Sequence, residues 1–359
     1  MQKLTNTFSL LALIFLSGIM GCSTDIDLNA PDKDIWVVYG ILNAQDSVQY
    51  IRVSNVFLPE SNVIDFAKEN DQSAKGLQIT LEGGNQSFVA EEVDSVLKDP
   101  EDGTFFPYTT LYKIRTEGNQ QLKGRTRYDL RIIQPGNDTF LLETYTWVPE
   151  SPQITKPNVV SGAGQTKCLR PVNLENDYEL EFVVGREEEQ GNAGSFEVRV
   201  YLDYAENGQA KQAMFGPTLL FERSQRCIPS TAAGCYNFRS KEILQSFYNQ
   251  INPQPVNLYT YEITEQTQCD PEPDNLPAAF RFELTAMDEF LTKYRTANDP
   301  KFIDFNTVRP EFTNIEGTVE ALGIFGSINS NFAKARLSQC SAFLLDINNT
   351  PRPASVCEL

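Results

Sequence analysis

The sequence predicts a mainly β protein: an antiparallel, Ig-like β-sandwich over residues 34–150, then a second β-rich domain over 151–359 with two short helices and disulfides. Three observations carry this reading. Short runs of β-branched and aromatic residues recur between turns rich in Gly, Pro and Asn, which is the pattern of a sandwich. Val148-Pro149-Glu150-Ser151-Pro152 and Lys156-Pro157 punctuate the middle of the chain and mark the domain boundary. All cysteines except Cys22 lie after residue 160, so the first half must hold together by packing alone.

In order along the first half, Ile35 to Leu42 is a dense β-prone run, and Tyr50 to Phe57 alternates as a half-buried strand does. Leu77 to Leu81 meets Gly83-Gly84-Asn85 and then Ser87-Phe88-Val89, a hairpin signal because tight turns need positive φ. Tyr108 to Ile114 and Tyr128 to Ile133 alternate again. Gln134-Pro135-Gly136-Asn137-Asp138 is a turn, with Thr139 to Trp147 as the strand after it.

In the second half, strands are expected at Tyr178 to Val184, Ser195 to Tyr204, Met214 to Phe221 and Leu258 to Ile263, with a turn at Ala205-Glu206-Asn207-Gly208. Two stretches carry helical spacing. Within Lys241 to Ile251, the residues Ile243, Leu244, Phe247, Tyr248 and Ile251 share a face. Within Thr285 to Ala297, Met287, Phe290, Leu291 and Tyr294 do, and Thr285 with Asp288 resembles a capping box.

Composition removes several function classes. The 359 residues hold 30 Lys and Arg against 48 Asp and Glu, a formal net charge of −18, so nucleic acid and anionic headgroups are repelled. With no histidine, Ser-His-Asp and Cys-His catalysis are excluded and the commonest metal ligand is missing. The expectation is a non-enzymatic protein with no cofactor and no metal. A glycan-acting enzyme using two carboxylates is disfavoured, since no acidic pair stands in a recognisable context. The even set Cys168, Cys227, Cys235, Cys269, Cys340 and Cys357 reads as three disulfides, for which 15 connectivities exist. Cys227 and Cys235 bracket a Pro- and Gly-containing loop and form the first pair to expect.

The first 21 residues read as a signal peptide. Lys3 supplies the positive end, and Phe8 to Leu16 form an apolar core far shorter than the about 20 residues that span a bilayer. Gly21 directly precedes Cys22, with Ile19 two positions earlier. This resembles the lipobox of bacterial lipoproteins, which implies diacylation of Cys22 and stable anchoring by more than one chain. Residues 22–33 form a polar, acidic tether, and acidic residues so soon after the cysteine resemble the surface-export signal of Bacteroidota lipoproteins.

Asn314-Ile315-Glu316-Gly317 and Ala321-Leu322-Gly323-Ile324-Phe325-Gly326-Ser327 read as a turn at Gly317 and a buried strand whose glycines allow close backbone approach. Together with the lipoprotein signal, the early Val38-Tyr39-Gly40 step and the late helix, they resemble the Bacteroidota lipoproteins grouped as domain of unknown function 4249. The resemblance implies an accessory role beside a TonB-dependent outer-membrane barrel and supplies no catalytic residues. A structural part of an envelope secretion or assembly complex is the alternative. Phe105, Phe106 and Tyr108 offer an aromatic platform for a sugar or partner, against the commoner reading of core side chains where a strand begins.

Overall fold

In the computed structural model, β1 (Trp36–Asn43) lies parallel to β18 (Ala321–Ala335), with Trp36 opposite Ala321 and Asn43 opposite Ile328. The structure describes residues 35–56, 63–98, 106–137, 140–156, 193–206, 209–220, 280–298 and 312–335, the backbone of 159–160, 168–169, 178–183 and 233–238, and scattered positions of 243–250.

The protein is mainly β, with two sheets facing each other across a core. The ten-stranded sheet runs in the order β14 (Gln209–Leu220), β13 (Ser195–Glu206), β16 (Phe280–Met287), β18, β1, β2 (Val48–Asn55), β6 (Tyr108–Arg115), β5 (Glu91–Leu97). The short strands β10 (Val159–Val160) and β11 (Cys168–Leu169) attach to it at Lys334. The facing sheet is β17 (Glu316–Gly317), β8 (Leu141–Val148), β7 (Thr126–Ile133), β3 (Gln78–Gly83), β4 (Gln86–Val89). A third, small sheet orders β15 (Ala233–Phe238), β12 (Tyr178–Val183) and β9 (Gln153–Lys156). The large sheet draws strands from both sides of the proline cluster.

Period-two alternation builds the core. In β7, Tyr128, Leu130 and Ile132 are buried while Arg127, Asp129 and Arg131 are not. Val38, Leu42, Ile51, Val53, Tyr112, Ile114 and Phe325 meet Ile79, Leu81 and Leu142 from the other sheet. Full burial of such side chains is worth about 1.5–3 kcal/mol each. Gly84 and Asn85, at φ of 59° and 64°, close the β3–β4 hairpin as a two-residue loop.

β18 is buried on both faces from Gly323 to Ser327. Gly323 sits at φ +117°, and a Cβ there would lie 1.9 Å from the Val38 carbonyl oxygen, so only glycine fits. β16 reaches only to Ile328, which leaves Phe325 without a strand on that side. Asn314 substitutes for one: its Oδ1 accepts the Phe325 N–H (3.0 Å) and its Nδ2 donates to the Phe325 carbonyl (2.7 Å). Beyond Phe325 the inward face of β18 turns polar. Ser327 Oγ donates to the Trp147 carbonyl (2.9 Å), Asn329 Nδ2 to that of Pro149 (2.9 Å) and Asn331 Nδ2 to that of Pro152 (2.8 Å). Pro149 and Pro152 have no N–H to give a ladder, and β18 satisfies the carbonyls of their segment side chain by side chain.

Some expectations change. The helix expected from Thr285 begins later, because Asp288 is its N-cap: Asp288 Oδ1 accepts the Leu291 N–H at 2.8 Å. The helix is α2 (Glu289–Asn298), and Thr285 stays in β16 with its hydroxyl 2.8 Å from that of Ser330. Gly317 lies in β17 rather than in a turn. A Cβ on it would sit 2.1 Å from the Leu141 carbonyl oxygen, so glycine is what lets β17 pair with β8. The helix α1 (Val63–Glu69) and β5 were not expected. Positions 243, 246, 247, 249 and 250 are helical, with Ile243 and Phe247 buried, whereas the strand expected at Leu258 to Ile263 lies outside the described residues.

Candidate functional site

Sending Val38, Gly40 and Leu42 into the core turns Tyr39 and Ile41 of β1 to the opposite face of the sheet. In β2 the same alternation turns out Tyr50 and Arg52. The register sets Tyr39 opposite Arg52, and Gly40 opposite Ile51 brings Ile41 beside Tyr50. Tyr39, Ile41 and Tyr50 are 42%, 46% and 48% exposed, three large apolar side chains clustered on adjacent strands. Scattered exposed apolar residues are ordinary, but a contiguous group marks a contact surface.

Helix α2 converts this face into a trough. Its Tyr294 hydroxyl is hydrogen-bonded to Tyr39, and its phenol is pushed up chiefly by burial and then by that neighbour. Ile324 of β18 lies buried at the floor, and Asp46 and Val48 close one end. The trough is open to solvent and has a volume of about 370 Å³.

Four contacts fix α2. Leu291 is buried against Gly326, where a Cβ would stand 3.0 Å from that of Leu291. Arg295 pairs with Glu197, a carboxylate 3% exposed that also pairs with Arg199. Ser195 and Thr292 hydroxyls meet at 2.7 Å, and Phe290 packs edge-on to Tyr145 at 5.2 Å. Asp288, 2% exposed, is tied to both sheets. Its Oδ2 is 2.6 Å from Thr146 Oγ1, which is 2.8 Å from Ser327 Oγ, whose other partner is the Trp147 carbonyl.

That chain holds three contacts, and its two hydroxyls bring two protons. Thr146 Oγ1 donates one to Asp288 Oδ2, and Ser327 Oγ donates the other to the Trp147 carbonyl. Burial pushes the Asp288 carboxyl up to about 6 against the pull of its hydrogen bonds.

The residues expected to contact a partner lie elsewhere. Phe106 is half-buried, its N–H donating to the Ala67 carbonyl and its own carbonyl accepting from Lys98 Nζ, both at 2.9 Å. Tyr108 is 43% exposed, 6.2 Å from the Phe106 ring. Neither lines the trough, and Phe105 lies outside the described residues. Cys168 is in β11 and Cys235 in β15, while Cys22, Cys227, Cys269, Cys340 and Cys357 lie outside the described residues. Among the described residues no group of three or more His, Cys, Asp and Glu is placed to hold a metal. The trough residues had a signal in the sequence: Tyr39, Ile41 and Tyr50 occupy outward positions of alternating strands, where polar residues are the rule.

No family model matches the chain, and no curated protein matches it. Among solved structures, a 1.5-MDa bacterial ice-binding adhesin is similar at 7% identity and a TM-score of 0.16, covering 86% of this chain and 66% of that one. The FN1–FN3 domains of chicken CNTN1 are similar at 7% identity and a TM-score of 0.14, covering 83% of this chain and 65% of that one. The chain thus spans just under two thirds of either, and scores this low describe no shared fold.

The buried acid sets a pH dependence. A carboxyl raised from the 3.8 of a free side chain to about 6 binds its proton more tightly folded than unfolded. Stability from this group is therefore full below about pH 4 and declines as pH rises to about 6, by up to about 3 kcal/mol. Asp288→Asn keeps an N-cap and removes the titrating carboxyl. Unfolding free energies from urea titrations between pH 4 and 7 should fall for the wild type by this amount relative to the variant; parallel profiles would refute the raised acid.

Proposed function

We propose that this chain is a non-enzymatic, lipid-anchored binding protein at the outer-membrane surface, working beside a barrel of the TonB-dependent class. The observation that carries it is the open trough between Tyr39, Tyr50 and Tyr294, a rigid aromatic surface with no catalytic pair among its lining residues. Tyrosines dominate protein contact energies because each buries a large area with few rotatable bonds. The lipobox at Cys22 supplies the anchor, and the acidic tether that follows lets the folded part stand clear of lipid.

Ile41 sits in the trough, so a photocrosslinking residue at position 41 in intact cells reports what docks there. An outer-membrane barrel protein should be captured, and capture should fail with Cys22→Ala, which releases the chain, and with Tyr39→Ala plus Tyr50→Ala. Capture that survives loss of both tyrosines would contradict the proposal.

The oxidising compartment implied by export makes Cys227–Cys235 a bridge in this proposal, and an Ig-like arrangement of the first half belongs to it as well. Closing so short a loop contributes on the order of 2–3 kcal/mol. Non-reducing peptide mapping should recover the linked pair; free thiols at both positions would refute it.

A further inference from the structure

The trough is bordered on one side by two cations whose side chains form no ion pair among the described residues. Arg52 lies directly opposite Tyr39, and Lys113 of β6 directly opposite Tyr50, so both share the trough's face. Among the described residues neither has a hydrogen-bond or ion-pair partner, and Arg52 Nε is buried without an acceptor. Glu91 stands across from Lys113 but reaches Arg115 instead, at 3.9 Å. Several other described cations are paired: Arg127 with Asp129, Arg131 with Glu143, Lys293 with Glu289, Arg295 with Glu197.

In a chain of net charge −18, Arg52 and Lys113 set two unpaired cations beside three tyrosines, with the Asp46 carboxylate at one end of the trough. The floor beside them is aliphatic, from Ile41 and Ile324. Apolar side chains fit that floor, and carboxylates fit the cations.

We propose that the trough receives an acidic segment of a partner protein, its apolar side chains between Tyr39, Tyr50 and Tyr294 and its carboxylates on Arg52 and Lys113. This rests on the binding reading above and adds the partner's chemistry. Charge complementarity then sets orientation and association rate, while the tyrosines hold the complex.

The test uses the full chain and a fluorescent glutamate–tyrosine copolymer. Binding should saturate and weaken about tenfold in Arg52→Glu with Lys113→Glu. It should be unchanged by Arg127→Glu with Arg131→Glu, the same charge change on the other sheet. Arg52→Gln with Lys113→Gln should weaken it as well, which guards against a folding defect in the first pair. Equal loss in the control pair would mean general electrostatics and overturn the proposal, as would equally tight binding of dextran sulfate at the same residues. Tighter binding after Asp25→Asn with Asp27→Asn would show the chain's own tether in the trough, and would also overturn it. Crosslinking from position 41 separates the two proposals: capture that needs Tyr39 and Tyr50 but ignores Arg52 and Lys113 keeps the binding reading and removes the acidic partner.

Discussion

The parallel pairing of β1 with β18 is the constraint on which the rest of the structure depends. It joins strands from opposite ends of the described chain, and each partner is shaped for it. Gly323 brings its backbone against Val38, and Gly40 leaves room for the Phe325 ring, to which a Cβ would stand 3.0 Å away. Closing so long a loop adds only slowly to the entropic cost, about 0.6 kcal/mol per doubling of length, but it slows folding because the contact is rewarded late. β18 offsets that cost with burial on both faces and with the side-chain bonds that fasten the proline segment.

The same strand places the site. Ile324 forms the trough floor, Gly326 admits Leu291 of α2, and Ser327 receives the Asp288 hydrogen-bond chain. Helix α2 then sets Tyr294 against Tyr39. A side chain inserted at Gly326 would displace α2 and open the trough. Packing, buried polar bonds and the binding face are therefore one arrangement. Asp288 completes it, capping α2 through the Leu291 N–H and accepting from Thr146 of the facing sheet.

Strands of the first half were legible because their alternation is strong: Tyr128-Asp129-Leu130-Arg131-Ile132 states its own periodicity, and Gly84-Asn85 its own turn. β5 was not, since Glu91-Glu92-Val93-Asp94-Ser95-Val96-Leu97 is an exposed strand with a register shift and Ser95 at φ 57°, and it carries little apolar signal. β16 was read partly as helix because its Met287 continues the spacing of α2, and only the N-cap at Asp288 separates them. Pairing between distant strands leaves no local trace, so periodicity found β1 and β18 without showing that they are neighbours. The trough needed that pairing, and so Tyr39 and Tyr50 read only as members of two strands, while Phe106 and Tyr108 stood out for their density in sequence.

The most direct test of this dependence is complementation. Residues 34–156 produced alone lack β18, and backbone NMR should show poorly dispersed, unfolded spectra. Adding a peptide of residues 312–335 should restore dispersed resonances for β1 and the facing sheet, with a cooperative melting transition. A fragment that folds cooperatively without the peptide would contradict the claim that β18 holds the structure together.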